Sequence, residues 1–217
     1  MAKIKGPLLS LSATGTVADT TTFAKWKGIP YVRQKVNPAN PRTTAQVATR
    51  SVFGTAAKSW RRVPALFTEV WNDFILGRPL TGRNAYMGKY TENLRGETDL
   101  AQWQTSPGTR SGPAIPSLNG DTGAASGEID MTYTAPTLPT GWTLDEIRFV
   151  YVPDQDPSTE WVETVQMDQD TTLNGTWGLT GLTPATVYAV SAYPKFTKDN
   201  GQTAFGASTT VLVTSTA

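Results

Sequence analysis

The chain has 217 residues, 38% of them hydrophobic, and a formal net charge of +1, values that suit a soluble globular protein with room for two modest domains. It contains no cysteine and no histidine, which excludes disulfides, thiolate nucleophiles, Cys/His metal sites and Ser-His-Asp catalysis. We therefore expect a protein that is not an enzyme and that uses no cofactor or metal.

The small net charge hides two halves of opposite sign. Residues 1–100 contain 15 Lys and Arg against 6 Asp and Glu, a net charge of +9, whereas residues 101–217 contain 4 against 12, a net charge of −8. Such a division is typical of two domains that face different surroundings. No apolar run is long enough to cross a bilayer, and the N-terminus lacks a signal-peptide pattern, so we expect synthesis in a cytoplasm.

A stretch rich in Pro, Gly, Ser and Thr, Gln104–Gly120, has the composition of a linker. The predicted organisation is a basic domain, a linker and an acidic domain, at residues 1–104, 105–112 and 113–217.

The basic domain begins with predicted strands. Ile4–Ser12 is expected to form a short strand, followed by a hairpin with arms Thr21–Lys25 and Ile29–Val36 around a turn at Lys27-Gly28. Pro30 suits the start or the edge of a sheet, because proline cannot donate a ladder hydrogen bond.

Three helices are predicted next. Thr43 or Thr44 can cap the first, Pro64 can open the second, and Thr81 can start a third that Gly96 closes. Apolar residues at three- to five-residue steps predict the buried stripe of the first helix: Val47, Val52, Phe53, Ala56, Ala57 and Trp60. The first domain is therefore expected to be α+β, a hairpin with about three helices.

The second half reads as about seven short strands separated by turn residues, which predicts an all-β sandwich. The stretch "GLTPATVYAVSAY" resembles the turn and sixth strand of fibronectin type III domains, with Leu182, Pro184 and Tyr188 at the matching positions. This resemblance implies a tyrosine corner, in which the Tyr188 hydroxyl returns to the backbone while its ring enters the core. Tyr133 stands where that family usually has tryptophan.

Basic side chains with aromatic neighbours run through the first half: Lys25, Trp26, Lys27, Tyr31, Arg33, Lys35, Arg42, Arg50, Trp60, Arg61 and Arg62. Such a set can grip phosphates and stack bases, but no recognised nucleic-acid motif accompanies it. Nucleic-acid binding is therefore the less favoured interpretation, and solvated faces or ion pairs with an acidic partner protein explain the same residues.

The run "WKGIPYVRQKVNPANPRTTAQVATRSVF" resembles the N-terminal pattern of small bacteriophage and prophage proteins. Its most specific part is Asn40-Pro41-Arg42-Thr43 with Gln46 and Arg50. The resemblance implies a virion structural protein made in a bacterial cytoplasm and in contact with capsid, portal, neck or tail subunits. It implies several copies per particle and is compatible with a homo-oligomer. The residues predicted to anchor it on the particle are Trp26, Tyr31, Arg33, Lys35, Arg42 and Arg50.

The alternative is a module that binds glycans on a host surface. It requires exposed aromatic rings on the sandwich, for which the candidates are Trp142, Trp161 and Trp177. Carboxylates also cluster in this half, but without the ligand spacing of a calcium loop they are expected to form an exposed acidic surface: Asp154, Asp156, Glu160, Glu163, Asp168 and Asp170.

Overall fold

The computed structural model describes residues 2–3, 13–37, 39–108, 112–159, 161 and 164–217. Two compact units divide the chain, Met1–Arg42 and Thr43–Ala217. The predicted first strand, Ile4–Ser12, and the carboxylates Glu160 and Glu163 lie outside the described residues.

The first unit is a four-stranded antiparallel sheet in the order β1-β4-β3-β2, called the N-terminal sheet below. Its strands are β1 Ala2–Lys3, β2 Gly15–Val17, β3 Thr21–Trp26 and β4 Ile29–Gln34. Positive φ angles at Lys27 and Gly28 are those of a tight primed turn, which confirms the predicted hairpin. Pro30 is the second residue of β4 and pairs with Lys25, so it lies at a strand start.

The second unit begins with three helices, α1 Thr44–Ser59, α2 Ala65–Phe74 and α3 Gly82–Leu94. The side chain of Thr43 caps α1 by accepting a bond from the Gln46 amide at 3.4 Å. Thr81 caps α3 in the same way, Pro64 precedes α2, and Gly96 follows α3 with a positive φ. The predicted helix boundaries are therefore confirmed at their caps. None of the helices described here has the length and apolar character needed to cross a bilayer.

Eight strands follow: β5 Leu118–Thr122, β6 Ile129–Tyr133, β7 Trp142–Pro153, β8 Gln166–Asp170, β9 Thr176–Leu179, β10 Val187–Lys198, β11 Thr203–Phe205 and β12 Thr209–Thr214. They form a three-stranded sheet in the order β5-β6-β9 and a five-stranded sheet in the order β11-β10-β7-β8, in which β12 also pairs with β10. Side chains from both sheets fill one core, so this half is a β-sandwich, as predicted.

The five-stranded sheet is buried on both faces. Phe149 and Tyr151 of β7 point into the sandwich core, whereas the alternate residues Val150 and Val152 belong to a second core that contains the helices. The unit therefore has three layers, with the helices packed on the outer face of the larger sheet.

The first residues of the predicted linker are part of this packing. Thr105 and Ser106 are fully buried, and their hydroxyls bond to the Ser191 hydroxyl and the Gly206 carbonyl, both at 2.7 Å. Pro107 forms a bridge with Ala207. The chain divides into its two compact units between Arg42 and Thr43, and the helices share a core with the sandwich.

Candidate interaction surfaces

The N-terminal sheet is the most exposed part of the described chain. Every described residue of 13–37 and 39–42 remains at least partly accessible, and Trp26 and Val36 are 65% and 72% exposed. Residues 1–42 carry seven Lys and Arg and a single acidic residue, Asp19. A small sheet in which no described side chain is buried gains little from the hydrophobic effect, so its exposed face is a candidate interaction surface.

Cross-strand register brings three predicted anchors together. Trp26 pairs with Ile29, Ala24 with Tyr31, and Thr22 with Arg33. Residues that face each other in register share one side of a sheet, so Trp26, Tyr31 and Arg33 lie on the same face, called the anchor face below. The Lys27 ammonium lies 4.9 Å from the centroid of the Trp26 ring, close enough for a cation–π interaction.

The other predicted anchors lie elsewhere. Lys35 follows β4, where its ammonium pairs with Asp19 and its amide donates to the Thr20 carbonyl at 2.6 Å. Arg42 is exposed after the strands, and Arg50 is exposed on α1 in the second unit. The six residues therefore do not belong to a single element.

Helix α1 differs from its predicted stripe. Val52 and Ala56 are buried, but Val47 and Phe53 are 49% and 51% exposed. The predicted stripe is too wide, since Val52 and Ala56 lie on the side of α1 that packs into the helix-containing core, and Val47 and Phe53 do not. Phe53 instead adds an exposed ring to the second unit.

The three tryptophans proposed for glycan contact have different environments. Trp161 is only 1% exposed, and its indole N–H donates to the Tyr90 hydroxyl at 3.1 Å. Trp161 therefore lacks the exposed ring that glycan stacking requires, because it packs in the core that contains the helices.

Trp142 and Trp177 are partly exposed. The Lys198 ammonium lies 4.6 Å from the Trp142 ring centroid, and Phe196 packs against the same ring. Trp177 donates to the Asp168 carboxylate at 3.0 Å and borders a groove on the three-stranded sheet.

The described carboxylates of the predicted acidic surface mostly serve the fold. Asp154 accepts a bond from the Leu100 amide at 2.8 Å, and burial raises the pKa of its carboxyl. Asp156 accepts from the Ser158 amide at 2.7 Å. In the part of the chain that the structure describes, no three acidic side chains converge as metal ligands would.

Asp170 is fully buried at the end of β8. It accepts bonds from the Tyr133 hydroxyl at 2.5 Å, from the Thr172 hydroxyl at 2.6 Å, and from the Thr172 and Leu173 amides at 2.7 and 3.1 Å. Burial alone would raise the pKa of Asp170, but these bonds outweigh it and lower the pKa below its usual value. Tyr133, at the family's tryptophan position, thus holds a buried carboxylate.

A buried arginine joins the helices to the sandwich. Arg148 of β7 donates to Glu146 at 2.7 Å and to Glu69 of α2 at 3.0 Å. Burial alone would lower its pKa, but the interactions with Tyr193 and the two carboxylates raise it above the usual value. Sequence reasoning missed this role of Arg148. The apolar run around it, "EIRFVYV", indicates a strand that is covered on both sides, so the arginine within it is expected to be buried.

Trp103 packs within the same interface. Its ring stacks on Phe67 of α2 at a centroid distance of 6.2 Å and meets Trp161 edge-on at 5.2 Å. Trp103 is thus part of the aromatic cluster that binds the helical layer to the sheet.

The tyrosine corner is present as predicted. The Tyr188 hydroxyl accepts a bond from the Thr183 amide at 3.0 Å, and its ring lies in the sandwich core near Leu182. Of the local features in this half of the chain, the tyrosine corner is the one that identifies the type of β-sandwich.

A scan against protein-family models found no match, and a search of curated proteins found none. Similar solved structures include a fibronectin type III domain of human collagen XX, at 20% identity and a TM-score of 0.37, covering 50% of this chain and 97% of that one. The fn3 domain of human contactin 1 matches at 15% identity and a TM-score of 0.34, covering 48% and 78%.

The chicken CNTN1 FN1–FN3 structure matches at 13% identity and a TM-score of 0.35, over 48% of this chain, which spans only 30% of that structure. At such identities the likeness concerns the fold alone. Strand order and the Tyr188 corner describe the same fold, a fibronectin type III-like β-sandwich in the C-terminal half.

Proposed function

We propose that this chain is a non-enzymatic structural protein of a bacteriophage virion, whose N-terminal sheet docks on other particle proteins while the sandwich projects as an interaction module. The observation that carries the proposal is the anchor face, where Trp26 and Arg33 are exposed on a sheet without a described buried side chain. A virion would supply the apolar and acidic cover that this sheet lacks within its own unit.

The motif Asn40-Pro41-Arg42-Thr43 supports the phage context through its resemblance to prophage proteins. In this chain it ends in the Thr43 cap of α1, at the boundary between the two units of the chain. The motif therefore lies at the point in the sequence where the N-terminal unit ends and helix α1 begins. In a particle the same weak contact would be repeated many times, which makes the attachment durable.

The proposal is tested by incorporation into particles. An epitope-tagged full-length chain is expressed in the host that carries its gene, particles are purified by density gradient, and the tag is quantified. We expect the unmodified chain to co-purify with particles, and a variant with Trp26→Ala, Tyr31→Ala and Arg33→Ala to remain in the free fraction.

The matched control replaces Leu212, an exposed apolar residue of the sandwich, with alanine, and should be incorporated normally. Absence of the unmodified chain from particles would contradict a virion role. Normal incorporation of the triple variant would show that the anchor face is not the docking surface.

A further inference from the structure

The two units carry opposite charges. Residues 1–42 contain seven Lys and Arg against one Asp, a net charge of +6, and residues 43–217 contain 12 against 17, a net charge of −5. Each copy of the chain thus presents both a basic surface and an acidic one. Complementary charges of this kind steer association and fix the orientation of partners.

The basic surface is the anchor face, on which Arg33 lies beside exposed apolar side chains. Trp26 and Ile29 are directly opposite each other at the hairpin end, and Ile29 is 44% exposed. Lys27 lies in the turn between them. An apolar patch rimmed by cations has the composition of a protein interface whose partner is acidic.

The second unit has a matching acidic surface on the three-stranded sheet. Asp121 of β5 lies directly opposite Asp130 of β6. Both are exposed, because their neighbour Ile129 occupies the buried side of the sheet. Like charges in direct cross-strand register repel each other, and no described Lys or Arg forms an ion pair with either aspartate.

The surface next to this pair is open at Gly178. Gly178 of β9 pairs with Asp130, and a side chain added at Gly178 would meet only carboxylate oxygens, those of Glu128 and Asp130, at 3.5 and 3.6 Å. The acidic surface therefore has no side chain at Gly178 that would stand in front of the aspartates. Cations from a partner would relieve the repulsion between Asp121 and Asp130.

We propose that the anchor face of one copy docks on the acidic sheet surface around Asp121 and Asp130 of a second copy. The inference rests on the docking role given above to the N-terminal sheet, and it names the partner as another copy of the same chain. Ion pairs supply orientation and most of the affinity at low salt, and burial of Trp26 and Ile29 adds to it.

The test uses sedimentation velocity of the full-length chain over a range of protein concentrations. In about 0.01 M salt, where the Debye length is about 30 Å, we expect the mean mass to rise with concentration. In about 1 M salt, where the Debye length is about 3 Å, the chain should sediment as a monomer. This comparison needs no substitution, so it does not depend on the folding of a variant.

Substitutions then locate the contact. Asp121→Asn with Asp130→Asn is expected to weaken association at least about tenfold. The matched control, Glu97→Gln with Asp199→Asn, changes the net charge equally at two other exposed sites and should alter the association constant less than about threefold. A copy with Asp121→Lys and Asp130→Lys should associate with a copy carrying Lys27→Glu and Arg33→Glu, although each alone stays monomeric.

Three results would overturn the inference: a monomer at every concentration in low salt, self-association unaffected by salt, or a control as disruptive as the aspartate pair. A chain that stays monomeric but enters particles would refute this inference and leave the proposed function standing. A chain that self-associates but never enters particles would refute the proposed function and leave this inference standing.

Discussion

The N-terminal sheet and the five-stranded sheet are both antiparallel, yet they are stabilised in opposite ways. Along β7, the run from Glu146 to Val152 is buried, because a second sheet covers one face and helices cover the other. No residue of β2, β3 or β4 is buried. The difference teaches that strand pairing alone does not make a core. The layers that cover the five-stranded sheet make its core, and no such layer buries the described residues of β2, β3 and β4.

The largest expected effect on stability is tested by replacing one buried and one exposed tryptophan with alanine. Trp161→Ala removes a fully buried ring between the helices and the sheet, so the free energy of unfolding should fall by about 3–5 kcal/mol. Trp26→Ala removes an exposed ring and should change it by no more than about 0.5 kcal/mol. Urea unfolding of both variants, followed by far-UV circular dichroism, measures the two values.

Equal losses from the two tryptophan substitutions would break the comparison, since they would mean that the N-terminal sheet contributes to the same core. A loss below about 1 kcal/mol for Trp161→Ala would mean that the helical layer adds little stability.

The next effect concerns the acid stability of the sandwich. Because the pKa of folded Asp170 lies below its value in the unfolded chain, its stabilising contribution is complete above pH of about 4 and is lost as the pH falls through the folded pKa. Asp170→Asn should cost about 2 kcal/mol at pH 7 and flatten the decline of stability below pH 4.

Thermal unfolding between pH 2 and 7 checks this second prediction, with Asp199→Asn as a control for the change in charge. Asp199 is exposed, so its replacement should leave the acid limb of the curve unchanged. An unchanged acid limb in Asp170→Asn would show that other carboxylates control acid unfolding.

The smallest effect compares two tyrosines. Tyr188→Phe deletes the hydroxyl that accepts the Thr183 amide and should lower the free energy of unfolding by about 1 kcal/mol. Tyr31→Phe on the anchor face should be neutral within about 0.5 kcal/mol. Chemical unfolding with replicate curves resolves such a difference. Equal changes in the free energy of unfolding for the two variants would mean that the tyrosine corner does not stabilise the sandwich.

Local chemistry made much of the fold predictable. Thr43, Thr81 and Gly96 act at helix ends through bonds within a few residues, and Lys27-Gly28 needs only the backbone of one turn. Such signals lie entirely within a short window of sequence, so they can be interpreted without the tertiary structure.

The layer arrangement was harder to predict. The 105–112 segment has the composition of a linker, but the contacts of Thr105 and Ser106 come from residues about a hundred positions later, which no local pattern includes. Trp161 was assigned to the surface for the same reason, since its cover comes from Tyr90 in a helix far away in sequence. The nearly continuous apolar runs of β7 and β10 are the available evidence of strands covered on both faces.

The buried segment at Thr105 and Ser106 also has a consequence for the order of folding during synthesis. The helices are made early, but Ser106 bonds to Gly206, 100 residues later, and the Trp103 carbonyl accepts a bond from Thr210, 107 residues later. The aromatic side chains of the helices therefore remain uncovered on the nascent chain until β10 to β12 have been synthesised. Native contacts so distant in sequence favour slow folding, and this interval is when the nascent chain has most need of chaperones.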